Sequence, residues 1–406
     1  MIHYVPRVAH LVFFPIQYFV PLYRELARRP EIDHTVYFYS DATLRRFHDD
    51  EFGREIQWDT PLLGGYESRF CSSALKKGIR GGFFQHPNWD IIHEAAFGKY
   101  DVIWAHGYAH PNTWLTAIAA SICGTRLLIR EEQTLLNSRP WYKRALKAVM
   151  LRALFRSACG LYIGENNRRY FEHYGMPKSR LFPARYCVDN DFFRGKAEEL
   201  APKRGEIRAE FGITDDAPVI LFSGKFIEKK QPLLLIEAFA RVCREIPCWL
   251  LMAGDGPLRK PMEELIRRLQ IPNVLMPGFQ NQTELPRAYI AADIFVLPSA
   301  YMETWGLVVN EAMNFSLPVV VTDKVGCAAD LVREGWNGFV VDHQRVDALV
   351  EAMASLVKDQ EMRQRLGRRS YDMVSNYSIK ACADDIVAAC IAVSQKNAWV
   401  ENRKTS

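Results

Sequence analysis

Short apolar runs alternate with stretches of helical periodicity along almost the whole chain. In the first half the runs 8–14, 34–39, 101–105, 126–130 and 160–164 read as strands, and 18–29, 112–123, 141–157 and 166–174 as helices. In the second half the strands fall at 218–223, 248–253, 273–276, 293–297, 318–321 and 338–341. Helices are expected there near 232–246, 258–269, 284–291, 307–315 and 346–356, then at about 360–375 and 379–394. Continuous apolar strands alternating with amphipathic helices are the mark of parallel α/β construction, with both sheet faces covered. A polar stretch at 192–217 separates two complete α/β sets and reads as the junction. Residues 61–82 and 131–139 carry the weakest pattern and are expected to form loops.

The 406 residues exceed one ordinary core, so two domains are expected. Hydrophobic residues make up 49% and charged residues 24%, the profile of a globular protein and not of a disordered one. A net charge of +5 suits anionic substrates but falls short of the bias of a nucleic-acid binder. The nine cysteines are scattered without any C-x-x-C, which argues against zinc or a disulfide framework and for reduced thiols in a cytoplasmic setting. No stretch reaches about 18 uninterrupted apolar residues, so no membrane span is expected.

Candidate chemistry concentrates between Tyr301 and Gly338. Glu303 and Glu311 are separated by seven residues, with Gly306 between them and the apolar run 318–321 beyond. An ionised carboxylate only accepts hydrogen bonds and can take two vicinal hydroxyls of a polyol. A helix opening at Gly306 and Leu307 would aim free N–H groups at a phosphate. Polyol plus phosphate describes a sugar nucleotide. Upstream, Gly224-Lys225 ends a strand and Lys230 precedes Pro232, a favoured first helical residue. Two ammonium groups on one strand-end loop can neutralise a diphosphate, although a lysine pair on a loop is also an ordinary solvated face.

These residues resemble the signature of the retaining glycosyltransferases of family 4, which have the GT-B fold and an E-x7-E motif. Glu303, Gly306, Leu307, Glu311, Ala312, Met313, Pro318, Val319 and Val320 match, while Ser316 stands where that family usually has glycine. The resemblance implies two doubly wound Rossmann-like domains facing a central cleft. It places an acceptor-side domain at 1–195, completed by the last helix at about 379–400, and a donor-binding domain at 196–378. It implies that Lys225, Lys230, Glu303 and His106 are catalytic. Gly224, Gly254, Phe279, Thr304, Trp305, Gly306, Leu307 and Glu311 then bind the donor. His106 ends the run 101–107, in the place of the second histidine of a D-V-I-H-x-H pattern, with Trp104 in the place of the first. Lys225 replaces an arginine, losing a two-pronged donor.

The implied reaction moves a hexosyl or other sugar from a nucleotide-diphosphate sugar to a carbohydrate or lipid-linked saccharide hydroxyl, with retention, in polysaccharide or glycolipid synthesis. No cofactor and no metal are expected. Asp189-Asn190-Asp191 spells D-x-D, but three-residue matches are cheap by chance and this one sits in the junction. The helix 141–156 is basic and amphipathic, with apolar 142, 145, 146, 149, 150 and 153 on one face. It reads either as a core-facing helix or as a peripheral contact with the inner face of a membrane. Two other classes fit the same outline: a sugar-nucleotide epimerase or phosphorylase, and a two-lobed protein that binds sugar nucleotides without chemistry.

Overall fold

In the computed structural model, residues 4–75, 89–97, 100–137 and 140–395 are described. Up to Tyr186 the strands are β1 (Arg7–Val12), β2 (Asp33–Ser40), β3 (Phe47–Asp49), β4 (Arg54–Ile56), β5 (Glu67–Leu75), β6 (Val102–His106), β7 (Arg126–Glu131), β8 (Ala158–Tyr162) and β9 (Leu181–Pro183). Beyond it come β10 (Val219–Ser223), β11 (Trp249–Ala253), β12 (Val274–Gly278), β13 (Ile294–Leu297), β14 (Val319–Thr322) and β15 (Gly338–Val341). Among the described residues one sheet runs β5-β2-β1-β6-β7-β8-β9 and a second runs β12-β11-β10-β13-β14-β15. Every pairing in both is parallel. Each sheet starts in the middle, winds outward, then returns to the other side. That reversal is the doubly wound order of nucleotide-binding sheets.

Contacts divide the chain into two compact units. One comprises Met1–Phe47, Pro61–Tyr186 and Ile379–Ser406, the other His48–Thr60 and Cys187–Ser378. The helix Ile379–Ser394 returns to the first unit, where it packs on the helix Val20–Ala27 and beside β9. Arg29 holds it there through Asp384 at 2.8 Å. In the core of the second unit the strand runs Val219–Phe222, Leu250–Met252, Ile294–Leu297 and Val319–Val321 are fully buried, as are the helix residues Leu235, Phe239, Val309 and Met353. Strands covered on both faces need such runs, which explains why they were legible as continuous apolar segments.

Three expectations change. The stretch 61–82 contains β5, an edge strand that reads ESRFCSSAL; its polar residues hide it from a hydrophobic pattern. The junction 192–217 is not an open linker but the helices Asn190–Leu200 and Arg204–Phe211, packed on the second unit. Finally, the apolar face of the helix Trp141–Phe155 does not look inward. Leu151, Leu154 and Phe155 are its buried residues, whereas Trp141, Tyr142, Leu146 and Val149 are exposed by 79, 55, 65 and 68%. Among the described residues no helix is long and apolar enough to cross a membrane.

Arg204–Phe211 is fastened electrostatically. Buried Arg208 donates to Asp293 at 2.5 Å and to Ala291 O at 2.9 Å, and Arg204 reaches the other Asp293 oxygen at 2.8 Å. Asp293 also accepts from Val219 N at 2.8 Å, tying the helix to the first residue of β10. Removing one partner of such a pair leaves a charge without compensation in a desolvated place. Asp293→Ala is therefore expected to destabilise the second unit by about 3 kcal/mol, read as a lowered midpoint in denaturant unfolding. An unchanged midpoint would show that water replaces the carboxylate without cost.

Candidate functional site at the strand ends

In the second unit the sheet reverses direction between β10 and β13, and the loops leaving their carboxyl ends meet there. Gly224 follows β10 and donates to Ala253 O at 3.0 Å. A Cβ on Gly254 would lie 1.9 Å from Gly224 O, and one on Gly256 2.7 Å from Phe226 O. Only glycine lets these two loops pack backbone on backbone. The loop then turns through Glu228–Lys230 and left-handed Gln231 (φ 51°) into the helix Pro232–Glu245. Ala300 N donates to Lys229 O at 2.8 Å, joining the loop after β10 to the loop after β13.

This seam places the Lys230 ammonium against Glu303 Oε2, and Ser299 Oγ donates to the same oxygen at 2.9 Å. The two side chains are only 13 and 12% exposed. A pair this dry is charge-assisted and held in one geometry. Ser299 had not been singled out in the sequence; its signal was its position in the Leu-Pro-Ser end of β13. The carbonyls on either side of Thr304 are also pinned, Gly326 N to Glu303 O and Cys327 N to Trp305 O, both at 3.0 Å. Gly306 has φ 97° and opens the helix Leu307–Asn314; Val309 N donates back to Gly306 O at 2.9 Å, and the N–H groups before it have no intrahelical acceptor by construction.

Glu311, Trp305 and Lys225 are engaged by other partners. Glu311 is fully buried and accepts from Tyr289 Oη at 2.7 Å. Trp305 is 2% exposed and donates to Asn310 at 2.9 Å. Lys225 faces away from Glu303: its ammonium lies 3.1 and 3.0 Å from the two Asp49 oxygens and 2.8 Å from Glu51.

Asp49 and Glu51 belong to the β3–β4 ribbon, which sequence reasoning missed as a part of this unit. Glu51 also pairs with Lys229 at 3.3 Å. Burial pushes the Glu51 carboxyl up, but Lys225 and Lys229 outweigh it and hold it below its usual value. Farther along the ribbon, Phe52 meets Phe279 edge to face at 4.9 Å and the Arg54 guanidinium lies 5.2 Å from the same ring. Asp59 accepts from Thr283 N at 3.0 Å. The trace available in sequence was the run Asp49-Asp50-Glu51, opposite in sign to the lysine loop.

In the first unit the reversal lies between β1 and β6, and His106 ends β6. Its ring is 4.7 Å from His10, 5.3 Å from Trp104 and 5.1 Å from Phe19. His10 stacks on Trp104 at 3.4 Å and shares a hydrogen bond of 3.2 Å with His34. Burial, and then Arg130, pushes the His106 pKa well below its ordinary value, so the imidazole is neutral. Arg130 in turn lies 5.0 and 4.8 Å from the rings of Phe19 and Tyr186. His110, the second histidine of this loop, caps the helix Pro111–Cys123 by accepting from Asn112 N at 3.1 Å.

At the end of β7, Glu131 is 8% exposed and accepts from Glu132 N and Gln133 N at 3.0 and 3.1 Å. Burial pushes its carboxyl up to about 7, against those amides and Lys147, while the Glu132 charge adds to the rise.

As for metals, Asp189 of the D-x-D match is the N-cap of Asn190–Leu200, accepting from Phe192 N at 3.0 Å. Among the described residues Asp323, Asp342 and His343 bring ligand atoms within 4.8 Å of one another. Asp323 is already engaged by His343 at 2.9 Å and Lys324 at 3.1 Å.

Residues 203–373 match the family described as glycosyl transferases group 1. The matched stretch contains the Lys230–Glu303–Ser299 arrangement. Over 214 residues the chain is 30% identical to an alpha-D-kanosaminyltransferase of Streptomyces kanamyceticus, covering 52% of this chain and 54% of that protein. The chain thus spans about half the length of the curated relatives it matches. Solved structures align over nearly all of it. A glycosyltransferase from Rickettsia africae has a TM-score of 0.72 at 14% identity, covering 97% of this chain and 100% of that one. Anabaena HepE in complex with UDP has a TM-score of 0.70 at 17% identity, covering 95 and 100%. The chain has the GT-B fold. Its two doubly wound units are the two Rossmann-like halves of that fold.

The buried Glu131 gives a stability prediction. A carboxyl raised from 4.5 to about 7 binds its proton more tightly folded than unfolded, so its contribution is full below pH 4.5 and is lost as pH rises through 7. Glu131→Gln removes that loss, on the order of 3 kcal/mol. The variant should therefore melt above the wild type at pH 8, with the gap closing toward pH 4.5. A gap that does not change with pH would contradict the raised carboxyl.

Proposed function

We propose that the protein is a retaining glycosyltransferase that moves a sugar from a nucleotide-diphosphate donor to a hydroxyl acceptor in polysaccharide or glycolipid synthesis. The observation that carries this reading is the dry Lys230–Glu303 pair, braced by Ser299, at the sheet reversal of the second unit. Ligands of open α/β sheets bind at that point. Support also comes from HepE, solved with UDP and with UDP-glucose.

In this reading the diphosphate lies against Lys230, with the N–H groups opening Leu307–Asn314 on its distal phosphate. Glu303 accepts from hydroxyls of the donor sugar, and Lys230, paired with Glu303 before the donor arrives, then takes the charge that develops on the leaving group. Lys225 adds charge once Asp49 and Glu51 yield it, and Glu311 accepts from the ribose once Tyr289 does. The anomeric carbon–oxygen bond to the phosphate breaks as the bond to the acceptor oxygen forms on the same face. The acceptor proton passes to the departing phosphate oxygen, so no protein nucleophile is required. His106, neutral at the carboxyl end of β6, is assigned a hydrogen bond to a sugar hydroxyl.

Lysine and helix-terminal N–H groups supply the electrostatic role that a cation plays elsewhere, a preorganised effect. Lys230→Ala is expected to lower kcat by about 10²–10³-fold with folding intact, while the wild type keeps full activity in excess chelator. Wild-type turnover in the variant would remove Lys230 from the site, and loss in chelator restored by Mn²⁺ would overturn metal independence.

The exposed face of Trp141–Phe155 supports a peripheral contact with anionic lipid. Trp141, Tyr142, Leu146 and Val149 lie open beside Lys143 and Arg144, and each basic residue near such a surface contributes about 1 kcal/mol. The protein should float with anionic vesicles and stay behind with neutral ones, and K143E/R144E should abolish flotation. Equal recovery with both vesicle types would remove the electrostatic contact.

A further inference from the structure

A cavity of about 260 Å³ lies wholly within the second unit, at the amino ends of β13 and β14. The Lys230–Glu303 pair stands at the opposite, carboxyl ends of the same sheet, so this cavity is no part of that site. Arg204, Arg363, Ser316, Gln360 and Gln364 bring polar groups to it.

Positive charge is in excess there. Arg204 donates through Nε to Ile290 O and through Nη2 to Asp293, both at 2.8 Å. Asp293 is shared, because Arg208 and the Val219 amide hold its second oxygen. Arg363 has no carboxylate in contact: among the described residues it donates only through Nη1, to Leu356 O and Val357 O at 2.7 and 2.8 Å. Burial lowers its pKa and Arg204 lowers it further, while Asp293 and Asp359 oppose the fall from beyond ion-pair distance. Two guanidinium groups therefore repel each other around one partly desolvated cavity, each with N–H groups to spare.

Neutral donors lie beside them. Ser316 stands where the resembled family usually has glycine, and its φ of 56° is the left-handed conformation that disfavours a side chain. Gly367 holds that turn in place, since a Cβ there would lie 2.0 Å from Ser316 O. The Ser316 hydroxyl lines the cavity and makes no hydrogen bond among the described residues. Gln360 and Gln364, four residues apart on the helix Gln360–Ser375, are exposed, and their side chains make none either. The helix N-terminus is not itself the binding group, because Asp359 caps it by accepting from Met362 N at 2.8 Å.

Guanidinium groups with a hydroxyl and side-chain amides beside them match the oxygens of a tetrahedral dianion. We propose that this cavity is a phosphate site, taking inorganic phosphate or the phosphate group of a small monoester. Arg204 and Arg363 supply the charge, and Ser316, Gln360 and Gln364 the neutral hydrogen bonds. An uncharged ligand would leave the two guanidinium groups repelling each other. The volume falls below the range of about 300–1,000 Å³ found for sites of drug-sized molecules, which excludes a whole sugar nucleotide. None of this depends on the glycosyltransferase reading.

The test is calorimetric titration of the full chain with inorganic phosphate and with glycerol 3-phosphate, at constant ionic strength. At least one should bind with a stoichiometry of one, and the tighter of the two names the source. Binding should persist in Lys230→Ala, which excludes an ion held at the Lys230–Glu303 pair. In that background Gln364→Glu should weaken it at least tenfold and Ser316→Gly several-fold. Ser316→Gly also relieves the left-handed backbone, so its melting temperature should not fall and misfolding cannot account for its loss. Absence of binding, its disappearance in Lys230→Ala, or an affinity unmoved by Gln364→Glu or by Ser316→Gly would overturn the proposal.

Discussion

Backbone packed directly on backbone holds the candidate site together. Gly254 against Gly224 and Gly326 against Thr304 each leave less than 2 Å for a side chain that is not there. Those contacts draw the loops after β10, β11 and β13 to one place, and the ammonium of Lys230 reaches Glu303 because the loops are that close. A larger residue at either glycine would push the loops apart before it touched any ligand. The glycines therefore act on the chemistry through distance.

The same economy governs the buried charges. Glu303 is answered by Lys230 and Ser299, Asp293 by Arg204, Arg208 and an amide, and Lys147 by three tyrosine faces. Desolvated ions are tolerated only with such partners, and they hold one geometry at a cost in stability. Two of these clusters lie at carboxyl ends of parallel strands, where side chains escape the sheet and backbone groups remain to be answered. Asp293 lies at the opposite end, where it fastens a helix. That contrast separates the charges that serve architecture from those available for chemistry.

How far the sequence could be read depended on whether a residue acts through its neighbours in the chain. The strands of the second unit were legible because burial on both faces writes an unbroken apolar run. Edge strand β5 was not, since its ESRFCSSAL pattern has no such constraint. Helix Arg204–Phe211 read as linker because its partner, Asp293, is remote in sequence and its own surface is polar. The amphipathic helix Trp141–Phe155 had a visible apolar face, yet periodicity does not say whether a face meets core or solvent. Burial of Leu151, Leu154 and Phe155 instead decided that.

By itself the sequence determined the alternating α/β order, the two-unit organisation and the loops on which Glu303, Gly306 and Lys230 sit. All of these follow from local periodicity and from turn residues whose backbone needs are local too. Tertiary structure alone decided that Lys230 pairs with Glu303 while Lys225 pairs with Asp49 and Glu51, and that Glu311 turns inward to Tyr289. It also brought Arg204, Ser316 and Arg363 around one cavity. Pairing and burial depend on through-space distances between distant segments, and one-dimensional spacing carries no record of those distances.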